Sequence, residues 1–258
     1  MLPSLNGSEW QPGEDEPTLS ELDGIRYLHF GTPWVQGAMR LRRPTELVLD
    51  YTRLMMAWLL FVRPGKEDRI AILGLGAGAL LRYVLAHTPA IVDTVERNPQ
   101  VFAACAAYFR LPQGPRSELI EGDAGLWVQD PEHHARYAAL MVDLYDAHAQ
   151  GPVCNSPAFY SGCRACLQEG GVAVVNLFGN HDSHAPNMRN LLDAFDGRVL
   201  QLPQTPDGNS IVLGFTPEAM AASSRSLFER ADVLEAELKL PARRWLRELL
   251  DSARFTLD

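Results

Sequence analysis

Short apolar runs and helical patterns alternate regularly between residues 69 and 180, and this rhythm constrains the fold more than any other feature. Each run is followed by a turn and then by a segment with apolar residues at helical spacing. Such alternation is typical of parallel strands joined by helical crossovers, which cover both faces of the sheet and so favour strands that are apolar throughout. The sequence therefore predicts an α/β fold with an open, doubly wound and mostly parallel sheet.

The elements of this sheet can be placed by their apolar runs and turn residues. Strands are expected over Ile70–Leu73, Ile91–Val95, Glu118–Glu121, Ala138–Val142 and Gly171–Phe178. Helices are expected over Leu80–Ala86, Gln100–Phe109, Ala124–Gln129 and Ala158–Glu169. Arg198–Pro203 and Ser210–Phe215 flank the turn sequence Thr205-Pro206-Asp207-Gly208-Asn209, which predicts a β-hairpin that completes the sheet.

The segments on either side of the sheet predict smaller units. Residues 1–20 are rich in Pro, Gly, Ser and acidic residues, which is typical of a loosely ordered tail. Short apolar alternations from Gly24 to Arg43 predict a small β unit, and helical spacing predicts a helix from Pro44 to about Val62. We expect four regions: a tail (1–20), the β unit with its connecting helix (21–63), the α/β domain (64–218) and a helical cover (219–258).

A glycine-rich turn follows the first predicted strand of the α/β domain. Gly74, Gly76 and Gly78 allow a tight turn there and let backbone N–H groups approach a ligand, with a helix N-terminus behind them. The GxGxG spacing differs from the GxGxxG of dinucleotide-binding turns, and the sequence contains no GxxxxGK[ST] motif, which excludes a P-loop.

Acidic residues follow the next three predicted strands. Ligands of doubly wound sheets bind at the carboxyl ends of the strands, and Glu96, Asp123 and Asp143 stand at those ends, with Asp146 close behind. An acid at position 96 can accept hydrogen bonds from both hydroxyls of a ribose, and one at position 123 can accept from an adenine amino group. A single strand-end acid often only caps a helix, but several in register favour a nucleoside site.

The charge balance narrows the class of ligand. The chain has 23 Lys and Arg residues against 32 Asp and Glu residues, a net charge of −9. Proteins that bind nucleic acid cluster basic residues against the phosphates, whereas the densest basic run here, Arg40–Arg43, is short. We therefore expect no nucleic-acid partner, and the acidic balance favours a cationic small substrate.

The sequence shows no sign of export or membrane insertion. Its longest strongly apolar run, Leu54–Val62, is far shorter than a membrane span, and the N-terminus has neither a basic start nor an apolar core. Cys163 and Cys166 have redox spacing but lie within a predicted helix, so we expect buried, reduced thiols. These features predict a cytoplasmic protein with no membrane partner.

The motifs together resemble the class I S-adenosylmethionine-dependent transferase fold, which is Rossmann-like, and more narrowly the spermidine synthase (polyamine aminopropyltransferase) family. The resemblance covers about residues 24–216. Its matching segments are Gly74–Gly78, Val95-Glu96, Gly122-Asp123-Ala124, Val142–Asp146, Phe159-Tyr160 and Glu169–Val172. Gln36 falls where the family has a glutamine that contacts the substrate.

The resemblance implies transfer of an aminopropyl group from decarboxylated S-adenosylmethionine to an amine such as putrescine, without a metal. Glu96 would hold the ribose, and Asp123 with Ala124 would hold the adenine. The three glycines of the turn would pass close to the donor. Asp143 would accept a proton from the attacking amine, whose nitrogen otherwise has no lone pair. For the acceptor, the resemblance implies contacts with Gln36, Tyr145 and Asp146.

Three departures from the family pattern leave the acceptor and the donor open. Ala77 stands where the family has an aspartate that helps to hold the donor's ammonium group. The loop after Asp146 is longer than the family's, and the family's Tyr-His-Glu segment has no clear match, with Leu49–Thr52 as the nearest.

We expect the protein to assemble as a homodimer. Three alternative functions remain open. A methyltransferase would use S-adenosylmethionine itself. A metal hydrolase would use Asp143 and Asp146 with the nearby His148, or the pair His181 and His184. A non-catalytic relative would bind a nucleoside or serve as an assembly subunit.

Overall fold

The computed structural model describes residues 16–145, 154–179 and 181–256, and it begins with a small antiparallel sheet. The strands of this sheet are β1 (Pro17–Leu22), β2 (Ile25–Phe30) and β3 (Gly37–Arg40), in the order β1-β2-β3. This confirms the N-terminal β unit. The predicted tail is wrong for residues 17–20, because they pair with β2; residues 1–15 lie outside the described part.

The segment between this sheet and the α/β domain differs from the single helix predicted from Pro44 to Val62. Helix α1 covers only Asp50–Leu54 and continues as a 3₁₀ helix over Met55–Leu60. Every residue of the 3₁₀ helix is buried. Packing on all sides, rather than one apolar helix face, therefore determines the local backbone.

Seven of the described strands form one sheet with the order β6-β5-β4-β7-β8-β10-β9. Their bounds are β4 (Arg69–Leu73), β5 (Ile91–Glu96), β6 (Ser117–Glu121), β7 (Tyr137–Val142), β8 (Leu167–Phe178), β9 (Val199–Gln201) and β10 (Asn209–Phe215). The first five strands are parallel, and the β9–β10 hairpin joins antiparallel through β10 to β8. The predicted fold class and the terminal hairpin are confirmed.

Helices cover both faces of this sheet. Within the α/β domain they are α2 (Ala79–His87), α3 (Pro99–Tyr108), α4 (Ala124–Trp127), α5 (Pro157–Cys166) and α6 (His184–Ala194). The C-terminal cover consists of α7 (Pro217–Met220), α8 (Ser224–Leu238) and α9 (Ala242–Thr256). Helix α5 ends three residues before the predicted Glu169, because the chain enters β8 at Leu167. None of the described helices is long and apolar enough to cross a membrane.

The sheet separates two apolar cores, and alternate residues of β4 face one core and then the other. Ile70 and Ile72 face the core that contains α2, the 3₁₀ helix and the C-terminal helices, whereas Ala71 and Leu73 face the core that contains α5. Alternate residues of a strand point to opposite faces, so a strand covered on both sides is apolar throughout.

The strand order positions the site. Strand β4 lies between β5 and β7, so the chain runs outward from β4 in one direction and then returns to its other side. The crevice at such a switch point, at the carboxyl ends of the strands, is where doubly wound sheets bind ligands. At this edge Glu96 is the last residue of β5, and Gly74, Asp123 and Asp143 follow β4, β6 and β7.

A buried acid links three neighbouring strands of the sheet, β5, β4 and β7. Asp93 in β5 is 2% exposed. It accepts hydrogen bonds from Arg69 Nε at 3.0 Å, from Arg69 Nη2 at 2.6 Å and from the Tyr137 hydroxyl at 2.8 Å. Arg69 also pairs with Glu118, whose side chain is 60% exposed. These donors replace the water molecules that the carboxylate would bind outside the protein, which offsets the cost of its burial.

We expect Asp93→Asn to lower the free energy of unfolding by about 2 to 3 kcal/mol, since it removes charge-assisted hydrogen bonds at a buried site. Glu118→Gln, which breaks the exposed arm of the same network, should cost less than about 1 kcal/mol. Urea titrations of the two variants and the parent chain measure both values. Equal losses would show that the buried pair does not carry the stabilisation.

Candidate active site

A cavity of about 440 Å³ opens at the carboxyl edge of the parallel strands. Its walls come from the turns after β4, β5, β6 and β7, from the loop between β2 and β3, and from the tip of the β9–β10 hairpin. This volume lies in the range of small-molecule sites. Of the charged side chains described in its lining, four are carboxylates (Glu96, Asp123, Asp143 and Asp207) and one is a guanidinium (Arg97).

The glycine turn places backbone rather than side chains in this wall. Gly74 has a φ of +97°, and a Cβ atom there would overlap the carbonyl oxygen of Asp143, so this position requires glycine. Gly74 and Gly76 both line the cavity. Gly78 is not part of the described lining; it has a φ of +68° and is the residue at which α2 begins.

Glu96 connects the end of β5 to the glycine turn. Its Oε2 atom accepts a hydrogen bond from the N–H of Leu75 at 3.1 Å, and its Oε1 atom accepts one from the N–H of Asn98 at 2.9 Å. Burial raises the pKa of the Glu96 carboxyl, although these N–H groups act in the opposite direction. Each carboxylate oxygen can accept a second hydrogen bond, so the two oxygens of Glu96 can still accept hydrogen bonds from two ligand hydroxyls.

Asp123 lies in the lining and also caps a helix. Its Oδ1 atom accepts a hydrogen bond from the N–H of Leu126 at 3.0 Å and so closes the first turn of α4. Ala124, the first residue of α4, is nearly buried and lines the cavity beside it. The cap uses one carboxylate oxygen, which leaves the other available to a ligand.

Asp143 follows β7 and is held by two donors from distant parts of the chain. The hydroxyl of Tyr51, in α1, donates to its Oδ2 atom at 3.2 Å, and the Nδ2 atom of Asn176, in β8, donates to its Oδ1 atom at 2.9 Å. Burial raises the pKa of the Asp143 carboxyl, and both donors act to lower it. The pKa of Tyr51 is raised well above its ordinary value, first by burial and then by the charge of Asp143, so its hydroxyl keeps the proton that it donates.

A row of polar side chains extends from Asp143 toward the hairpin. The Oδ1 atom of Asn176 accepts a hydrogen bond from Asn209 Nδ2 at 3.1 Å, and the Tyr145 hydroxyl donates to the backbone oxygen of Asn176 at 3.2 Å. Burial raises the pKa of Tyr145. The position of Asp143 is thus fixed by α1, β8 and β10 together.

The structure brings most of the candidate residues to this one cavity. Gln36, Tyr145 and Ala124 line it together with Gly74, Gly76 and the three strand-end acids, whereas Gly78 does not line it and Asp146 lies outside the described residues. Sequence reasoning missed Tyr51, Asn176 and Asn209. A signal existed for Asn176, because it interrupts the apolar strand Val172–Phe178, and a buried polar side chain needs a partner.

Ala77, at the position that departs from the family pattern, is buried against the N-terminal sheet. Its exposed fraction is 2%, and a Cβ atom on Gly37 of β3 would lie 2.6 Å from the Ala77 Cβ atom. Ala77 does not belong to the described lining of the main cavity. The close approach of Ala77 thus leaves no room for a side chain at position 37.

The described residues also allow the candidate metal ligands and the two cysteines with redox spacing to be checked. Across the described ranges, no three His, Cys, Asp or Glu side chains are grouped so that they could hold a metal ion. Two of the proposed ligands, Asp146 and His148, lie outside those ranges. Cys163 and Cys166 are free and fully buried, as expected, and burial raises the pKa of the Cys166 thiol to about 12.

Comparison with solved structures supports the fold. The chain superposes on a probable spermidine synthase from Corynebacterium glutamicum with a TM-score of 0.70 and 20% sequence identity, covering 86% of this chain and 83% of that one. It also superposes on human methyltransferase-like protein 13, determined in complex with SAH, with a TM-score of 0.62 and 21% identity over 78% of this chain and 93% of that one. At these identities the likeness concerns the fold alone.

Comparison of sequences is more specific. Residues 49–196 match the family model described as the spermine/spermidine synthase domain. A polyamine aminopropyltransferase from Neisseria meningitidis is 34% identical over 239 residues, which cover 92% of this chain and 90% of the relative. The resemblance inferred from the motifs is thereby confirmed, and the chain belongs to the spermine/spermidine synthase family.

Proposed function

We propose that this protein is an aminopropyltransferase that moves the aminopropyl group of decarboxylated S-adenosylmethionine to a polyamine such as putrescine. The observation that carries the proposal is Asp143, a carboxylate held by Tyr51 and Asn176 in a cavity that also contains Glu96 and Asp123. The name of the Neisseria meningitidis relative, polyamine aminopropyltransferase, supports it.

The reaction is a direct displacement at carbon. The amine nitrogen attacks the methylene carbon bonded to the donor's sulfonium, and a C–N bond forms as the C–S bond breaks. The sulfur keeps the electron pair of the broken bond and leaves as the neutral thioether of methylthioadenosine. Asp143 accepts a hydrogen bond from the attacking amine and assists loss of its proton, which passes to solvent. Its contribution is mainly to aim the nitrogen and to stabilise the positive charge that develops there.

The other roles are assigned from the family resemblance, and the lining of the cavity supports them. For the donor, we assign the ribose hydroxyls to Glu96 and the adenine to Asp123 and Ala124, with the glycine turn alongside. For the acceptor, we assign contacts to Gln36 and Tyr145, which lie in the same lining as Asp143. Asp146 keeps its proposed contact with the far cationic end of the acceptor.

The charge of the cavity favours the decarboxylated donor. This donor carries a sulfonium and an ammonium group and no carboxylate, whereas S-adenosylmethionine adds a negative charge. The described lining has four carboxylates and one guanidinium, and a cavity of one sign concentrates ligands of the other. Acceptor amines are cationic at neutral pH and are favoured for the same reason.

Mass spectrometry of reaction mixtures tests the proposed function. Purified protein with decarboxylated S-adenosylmethionine and putrescine should yield spermidine and methylthioadenosine in equal amounts. Methylated product and S-adenosylhomocysteine, formed from S-adenosylmethionine, would instead establish the methyltransferase alternative. Binding of methylthioadenosine with no product from either donor would favour the non-catalytic alternative.

The pH dependence of kcat/KM tests the role of Tyr51. Because the Tyr51 hydroxyl lowers the pKa of Asp143, Tyr51→Phe should raise that pKa. Asp143 acts as the ionised carboxylate, so the acid limb of the profile should move to higher pH. Asp143→Asn should lower kcat by about 10²- to 10⁴-fold and abolish the limb, with methylthioadenosine binding retained.

The control for this experiment is Tyr83→Phe. Tyr83 is also buried, but it lies in α2 outside the described lining, and its hydroxyl oxygen has no hydrogen-bond partner among the described residues. This variant should keep the parent pH profile. An unchanged acid limb in Tyr51→Phe would show that its hydrogen bond does not control Asp143.

Glu96→Gln tests the ribose assignment. The change removes the charge that strengthens the hydrogen bonds to two hydroxyls, so calorimetry should show about 10- to 100-fold weaker binding of methylthioadenosine. Glu121→Gln is the matched control, because Glu121 pairs with Glu96 in the sheet register but does not line the cavity. It should bind within about twofold of the parent chain, as expected for an exposed surface charge. Similar losses in both variants would contradict the assignment.

We further propose that the protein acts in the cytoplasm as a homodimer, without nucleic-acid or membrane partners. All four cysteines are free, which suits a reducing compartment, and the net charge of −9 disfavours binding to nucleic acid.

For the homodimer, the exposed Leu19 and Leu22 of β1 are apolar side chains that a second copy could cover. Light scattering of the full chain checks the assembly, and a monomeric mass would contradict it.

A further inference from the structure

Asp207 is a carboxylate of the cavity to which neither the motifs nor the proposed roles above assign a function. It lies at the tip of the β9–β10 hairpin, exposed to solvent, and belongs to the same lining as Asp143. Among the described residues, no side chain pairs with its carboxylate. It adds a negative charge to a wall that already contains three other acids, and a bound cation would relieve their mutual repulsion.

The backbone around Asp207 is fixed by its neighbours. The N–H of Gly208 donates to the carbonyl oxygen of Thr205 at 3.0 Å and closes the turn. The N–H of Asn209 donates to the Thr205 hydroxyl at 3.0 Å, and Gln204 Nε2 donates to the Gly208 carbonyl at 2.9 Å. The carboxylate therefore extends from a preorganised turn, and little ordering of the chain is needed when a ligand binds.

Asp207 lies two residues before Asn209, the residue at which the polar row that starts at Asp143 reaches the hairpin. From Asp143 the row passes through Asn176 to Asn209. The two carboxylates thus line one cavity from different elements, the turn after β7 and the tip of the hairpin. This arrangement suits a ligand with two positive charges separated by an apolar linker.

We propose that Asp207 binds the far ammonium group of the acceptor and so selects a diamine or a longer polyamine over a monoamine. The inference rests on the proposed function, in which Asp143 receives the nitrogen that reacts. Asp207 does not touch the reacting atoms, and its effect is on acceptor affinity. The tip of the hairpin thereby supplies a specificity residue in addition to the loop after β7.

Calorimetry with two probe amines tests this inference. The full chain, saturated with methylthioadenosine, is titrated with 1,4-diaminobutane and with 1-aminobutane, which lacks the second ammonium. The parent chain should bind the diamine more tightly. Asp207→Asn should weaken diamine binding about fivefold, the scale of a partly exposed ion pair, and leave 1-aminobutane unchanged. Asparagine is as well suited to a turn as aspartate, so the hairpin is retained.

Two further variants separate a specific contact from a general effect of charge. Asp207→Glu keeps the charge and should retain most of the preference for the diamine. Asp193→Asn removes one exposed carboxylate from α6, outside the cavity, and should bind both amines as the parent does. Raising the salt concentration should reduce the effect of Asp207→Asn, because exposed charges are screened.

The outcomes distinguish this inference from the proposed function. Equal diamine affinity in Asp207→Asn and the parent, an equal loss in Asp193→Asn, or a parent with no preference for the diamine would each overturn it. The titrations require no turnover. A protein that binds the diamine through Asp207 but forms no aminopropylated product would retain this inference and contradict the proposed function.

Discussion

The carboxylate of Asp143 is held between the hydroxyl of Tyr51 and the amide of Asn176, and the chemistry of the cavity depends on these contacts. Burial alone would favour the neutral acid, which could not attract a cationic amine. The two donors oppose that tendency and also fix the direction of the oxygens. Because one donor comes from α1 and the other from β8, the site requires the N-terminal segment and the central sheet to be folded together.

The glycine turn contacts the backbone of the same residue, Asp143. The backbone of Gly74 approaches that of Asp143 so closely that a side chain is excluded, and the N–H of Asp143 donates to the carbonyl oxygen of Leu73 at 2.9 Å. The turn proposed to face the nucleoside and the acid proposed to face the amine are therefore adjacent. Donor and acceptor can then meet at one point of the sheet edge, as a direct displacement requires.

The parts of the site that sequence reasoning predicted are those that follow from local patterns. Glycine spacing and strand ends identified Gly74, Glu96, Asp123 and Asp143, because the carboxyl ends of parallel strands meet at one edge. Tyr51 and Asn176 were missed because their contacts with Asp143 span 92 and 33 residues of sequence, and no local pattern encodes them. The 3₁₀ helix at Met55–Leu60 is also not encoded locally: the apolar spacing predicts a longer α-helix, whereas tertiary packing around fully buried residues determines the backbone.

Asp143 is the proposed meeting point of a nucleoside and an amine. A crystal structure with methylthioadenosine and 1,4-diaminobutane bound together tests this most directly. The account predicts the ribose hydroxyls within hydrogen-bond distance of Glu96 and one nitrogen of the diamine within hydrogen-bond distance of Asp143. A nucleoside bound away from Glu96, or a diamine with both nitrogens remote from Asp143, would contradict it.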